Sequence, residues 1–124
     1  MLLHRTGGHH SDRGSAAVEF ALVLPLLVML LFGIIQFGFV YNAYITVTHA
    51  AREGARMAAV GAFDTAAVKA DTVPLDQSKV NVTGPTLVSS DYYQVTVAYT
   101  YTLDIPFWKT QNLNLTSTAR MRRE

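Results

Sequence analysis

From Phe20 to Val40 the chain reads FALVLPLLVMLLFGIIQFGFV, with no charged residue and Gln36 as its one polar side chain. At about 1.5 Å of rise per residue a helix of this length covers roughly 30 Å, the thickness of a bilayer's hydrocarbon core. The run is too long for the apolar part of an ordinary secretory signal, and no A-x-A-like site follows it, so it reads as a retained membrane span. Pro25 removes one backbone hydrogen bond and crowds the carbonyl of Ala21, which predicts a kink.

Beyond Val40 the helical period persists but acquires two faces. Asn42, Thr46, His49, Glu53 and Arg56 form a polar stripe, while Ala43, Val47, Ala50, Gly54 and Ala58 form an apolar one. One continuous helix is therefore predicted from about Ser15 to about Val60. Small residues recur along it at four-residue spacing, as Ala50, Gly54, Ala58 and as Ala51, Ala55, Ala59, which lets another backbone or a sheet approach closely. Gly61 suits a C-cap, and Asp64 suits the N-cap of a short second helix through about Ala70.

The period then changes to two. Tyr93, Val95, Val97, Tyr99, Tyr101 and Leu103 alternate with polar or small residues, the pattern of a strand with one buried face. Val80 and Val82 mark a shorter strand before an expected Gly84–Pro85 turn, and Leu113, Leu115, Ser117, Ala119 and Met121 alternate in a last one. Three strands joined by loops predict an antiparallel meander whose apolar face needs a cover. The small-residue side of the long helix is the obvious candidate. The expected fold class is α+β: a long N-terminal helix, half transmembrane and half amphipathic, packed on a small antiparallel three-stranded sheet.

Composition narrows the chemistry. Of 124 residues, 50% are hydrophobic and 15% charged, the balance of a membrane-tethered chain. Ten Lys and Arg nearly match nine Asp and Glu, so no basic arm marks nucleic acid as a partner. The absence of cysteine excludes a disulfide framework, a thiol nucleophile and a Cys-type zinc site. No phosphate loop, nucleophile elbow or paired-carboxylate cleft stands out, so no cofactor and no enzymatic activity are expected. His4, His9 and His10 cluster near the start, and His49 stands alone on the helix, an ordinary place for a polar histidine. Phe107 and Trp108, after Pro106, either form an exposed aromatic contact or close one end of the small core; the second is the expectation.

The N-terminal segment carries the most specific pattern. Gly14 and Ser15 precede Ala16-Ala17-Val18, Glu19 follows five residues after the glycine, and the apolar run starts at once. This arrangement resembles the class III signal of type IV pilins. The longer stretch RGSAAVEFALVLPLL, with HAAREGARMAA downstream from His49 to Ala59, resembles TadE-like minor pilins or pseudopilins of the tight-adherence (Flp) pilus system. The resemblance implies residues 1–14 as a prepilin leader, 15–60 as the long helix with its span at 20–40, and 61–124 as a small extracytoplasmic domain. It implies cleavage between Gly14 and Ser15 by a prepilin peptidase and an assembly role for Glu19. It further implies membrane lipid, other pilin subunits and an inner-membrane assembly platform as partners.

Glu19 has a physical reason to be kept for a partner, since a carboxylate forced to mid-membrane costs on the order of 2.5 to 3.5 kcal/mol. In the resemblance that partner is a freed N-terminal amine, its own or a neighbour's. The alternative is that an acid in the first turn complements the helix dipole. Arg52, Glu53 and Arg56 of the second motif are either a solvated surface group or a contact with the sheet or another subunit. Basic residues do not orient the span, because Arg5 and Arg13 on one side balance Arg52 and Arg56 on the other. The resemblance places the leader in the cytoplasm and the C-terminal domain outside the cytoplasmic (inner) membrane. Loss of residues 1–14 removes Arg5, Arg13 and Asp12 and leaves the mature chain formally neutral. The runner-up is a permanently membrane-anchored extracytoplasmic module that binds a ligand or supports a secretion channel.

Overall fold

The computed structural model describes residues 9–124. The early leader positions, His4 and Arg5 included, lie outside the described residues, as do the side chains of His9 and His10. The elements are a long helix α1 (His9–Ala59), a short helix α2 (Thr65–Ala70), a 3-10 turn (Gln77–Lys79) and strands β1 (Val80–Ser89), β2 (Tyr92–Leu103) and β3 (Gln111–Arg122). The chain divides between Ile35 and Gln36 into two compact units.

In the first unit α1 is the described element. Its side chains from Asp12 to Leu31 are all exposed, among them Phe20, Leu22, Leu26 and Leu30. The helix runs unbroken through Pro25. The described part of the helix, His9–Ala59, already includes residues 9–14 of the segment read as leader. Residues 9–14 hold no proline, Asp12 in the first turn favours the helix dipole, and adding a turn to an existing helix costs far less than nucleating one.

The second unit, Gln36–Glu124, is an α+β fold: the outer half of α1 packs on a three-stranded antiparallel sheet of order β1-β2-β3. The helix contributes Ala43, Val47, Ala50, Ala51, Ala55 and Ala58 to the core; α2 contributes Val68, and the sheet Val80, Val95, Val97, Tyr99 and Leu115. Burial alternates along β2 at Val95, Val97 and Tyr99, the outcome of its two-residue period. The opposite face is polar, and hydroxyls and amides pair across strands: Thr96 with Thr118 at 3.0 Å, and Thr100 donating to Asn114 at 3.2 Å.

The C-terminal end of α1 and the start of α2 are fixed by hydrogen bonds. Gly61, at φ +74, closes a Schellman-type turn in which its N–H meets the Ala58 carbonyl at 3.1 Å and the Ala62 N–H meets that of Met57 at 2.9 Å. The Glu124 N–H donates to Ala59 O at 3.2 Å, tying the end of the chain to the end of the helix. Asp64 caps α2 by accepting from the Ala66 N–H at 2.9 Å.

The Gly84–Pro85 turn is corrected. β1 continues through both residues to Ser89, the register slips between Thr83 and Thr86, and the chain reverses instead at Ser90–Asp91. Gly84 sits at φ +122, where a Cβ would lie 2.7 Å from Gln94 O, so the glycine serves a close approach between paired strands.

Candidate functional site

The residues singled out by sequence fall in three groups on α1. Gly14, Ser15 and Glu19 are exposed and within the helix, and nothing stands within 4 Å of where a Gly14 Cβ would be. Ser15 and Glu19 are four residues apart, hence on one face a single turn from each other. The carboxylate follows the Gly14–Ser15 bond and opens directly onto the apolar run.

Ala50, Gly54 and Ala58 face the sheet. Ala50 is fully buried and Ala58 nearly so. At Gly54 an added Cβ would stand 3.0 Å from Val95 Cγ1 and 3.1 Å from Val68 Cγ2, so glycine lets β2 and α2 close on the helix at the same point. This seam is where helix, sheet and short helix meet.

Arg52 and Arg56 are exposed and Glu53 is half-buried, on the side of the helix away from that seam. Arg56 grips Glu53 with two hydrogen bonds, Nε to Oε2 at 3.0 Å and Nη2 to Oε1 at 2.5 Å. The guanidinium's hydrogen bond holds the Glu53 carboxyl below its ordinary range, with the charges of Arg56 and His49 acting the same way and desolvation opposing. Among the described residues no cluster of three or more His, Cys, Asp or Glu is placed to hold a metal.

Sequence reasoning misplaced the aromatic pair at the β2–β3 loop. Phe107 is 99% exposed and Trp108 73%, so they do not close the core. The core ends at Tyr101, and the loop turns outward behind it, with the Trp108 N–H bonded to Ile105 O at 3.1 Å and Phe107 at φ +65. Sequence also left Gln36 without a partner; the Tyr101 hydroxyl donates to its Oε1 at 3.3 Å. The alternation of β2 put Tyr101 on the covered face, but not which helix residue it would meet.

The exposed apolar half of α1 is long and apolar enough to be a candidate membrane anchor, and the small-residue half is buried under the meander of an α+β fold. Residues 14–56 match the family described as TadE-like protein. Over that stretch the chain is similar to the TadE-like proteins of the tight-adherence pilus system, a pilus-associated family. No curated protein and no solved structure matches the chain.

Proposed function

We propose that the chain is a minor pilin or pseudopilin, cut between Gly14 and Ser15 by a prepilin peptidase and held in the cytoplasmic membrane by residues 20–40. Its N-terminus is cytoplasmic and its C-terminal domain extracytoplasmic until it joins a pilus, or the complex that initiates one, through the assembly platform and other subunits. The role is structural and serves surface attachment. The carrying observation is Glu19, exposed one turn beyond the Gly14–Ser15 bond at the mouth of an apolar helix whose side chains are all exposed as far as Leu31. In the uncut helix the acid of the first turn is Asp12. Cutting hands that place to Glu19 and puts a new amine on its face. The bond to be cut lies near the helix start, where fraying is cheap enough to present extended backbone to a peptidase.

Two measurements test this. Mass analysis of protein co-expressed with its own peptidase should find Ser15 at the N-terminus, and a bulky residue at Gly14 should block the cut. Glu19→Ala should insert and be cleaved as before but enter pili far less. Entry at the wild-type level leaves Glu19 with the dipole role alone. The uninterrupted helix through Gly14 favours the second reading, a permanently anchored scaffold or binding module, and an intact Met1 on that same protein would decide for it.

A further inference from the structure

β2 and α1 run side by side in opposite directions, and two contacts set their register. Val95 meets Gly54, and Tyr101 meets Gln36. From Val95 to Leu103 a strand advances roughly 26 Å at about 3.3 Å per residue. From Gly54 to Gln36 a helix covers roughly 27 Å at about 1.5 Å per residue. The loop that follows Leu103 therefore stands level with Gln36, which belongs to the apolar run, where the helix shows Phe37 and Phe39 to its surroundings. At this level the loop displays Ile105, Phe107, Trp108 and then Lys109. Its neck is closed by the Thr110 hydroxyl donating to the Asp104 carboxylate at 3.1 Å.

We propose that the β2–β3 loop is a second membrane contact, seating Phe107 and Trp108 in the interfacial layer of the bilayer with Lys109 at the headgroup phosphates. The proposal rests on the reading of α1 as a membrane anchor. Two large aromatic side chains held in water gain nothing from the core, which ends before them. Phe107 holds a left-handed backbone conformation that is unfavourable for a bulky residue, a cost that suits a side chain aimed at a partner. Trp108, an apolar ring system with a polar N–H, flanked by a lysine, is the kind of side chain that settles at a membrane–water interface, and the wholly apolar Phe107 seats beside it. Tyr41 and Tyr44, exposed on α1 just beyond the apolar run, belong to the same kind of belt. A lipid surface is favoured over a protein partner because the loop's level is set by the same helix that enters the bilayer. Once that helix is inserted, the aromatic pair meets headgroups without any further binding event.

Trp108 is the single tryptophan of the chain, so its emission reports the loop alone. The full chain is reconstituted in phosphatidylcholine–phosphatidylglycerol vesicles with or without lipids brominated near the headgroup end of the acyl chain. The expected result is loss of the larger part of Trp108 emission to the brominated lipid and little quenching by aqueous iodide. Phe107→Asp, at a side chain that touches nothing in the fold, should reverse both. Emission open to iodide and indifferent to bromine overturns the proposal by leaving the loop in water. Emission indifferent to both overturns it in favour of a protein contact. Chains stripped from the vesicles by alkaline extraction would overturn the anchor reading and the loop contact together. Retained chains without bromine quenching overturn the loop contact alone.

Discussion

The two halves of α1 share a backbone and differ in what their side chains meet. From Asp12 to Leu31 every side chain is exposed and most are large: Phe, Leu, Val, Met. From Ala43 to Ala59 the buried positions are alanine, valine and Gly54. In hydrocarbon a leucine is already in an apolar solvent and gains no hydrophobic energy by packing on protein, so bulk is free to face lipid. In water the same helix must hide its apolar stripe, and small side chains let a sheet close on it at short range. Size rather than hydrophobicity thus separates the candidate membrane anchor from the part of the helix that packs on the sheet.

The largest effect that would break this comparison is a charge in the apolar half. Leu30→Arg sits mid-run on an exposed position and should cost about 2.5 to 3.5 kcal/mol of insertion free energy. The membrane-retained fraction after alkaline extraction should fall sharply. The thermal melt of the outer domain should not move, because position 30 lies in the other compact unit. Wild-type retention would show that this run is not the anchor.

A smaller effect belongs to the buried half. Gly54→Leu forces three carbons beyond a Cβ that already stands at 3.0 and 3.1 Å from two valines. Overpacking of this kind costs about 1 to 3 kcal/mol. Replacing glycine in a helix returns at most about 1 kcal/mol, so the net change is a loss. Asn42→Leu, an apolar gain on the exposed side, is the control and should leave the domain as resistant to protease as before. Gly54→Ala should fall between them. Equal protease resistance in Gly54→Leu and Asn42→Leu would mean that the seam yields and that the small residues are not what lets the sheet close.

How much of this was legible in the sequence depends on whether a contact is periodic. The apolar run, the small-residue stripe and the alternation of β2 repeat over several turns or residues, and each reappears as an exposed half-helix, a buried seam and a one-faced strand. The Asp64 and Gly61 caps were legible because each follows from one residue's own chemistry. Gly84–Pro85 was misread because the same dipeptide serves a turn or a bulge, and only the partner strand decides. Phe107 and Trp108 were misread because bulk and apolarity argue for the core, whereas the length of β2 carries the loop past its end. The helical state of residues 9–14 was not legible, because a weakly helical segment costs little to add to a strong helix.

The smallest predicted effect lies beside the largest structural constraint. Glu53 and Arg56 flank Gly54 in sequence but point away from the seam, and their pair is open to solvent. Glu53's carboxyl is held below its ordinary value of 4.5, first by the Arg56 hydrogen bond, while Arg56 is raised by the same bond. A carboxyl lowered by folding contributes stability above its unfolded pKa and loses it as pH falls through the folded one. The pair's contribution should therefore be constant from about pH 7 to about pH 5 and disappear only below the ordinary carboxylate range. Water and salt screen an exposed pair. Arg56→Gln should accordingly shift the domain's thermal midpoint by much less than Gly54→Leu, and added salt should shrink even that. If Arg56→Gln instead destabilises the domain as strongly as Gly54→Leu, the charged side of the helix is holding a structure-bearing contact. Size would then not be enough to explain how the outer half of α1 is held.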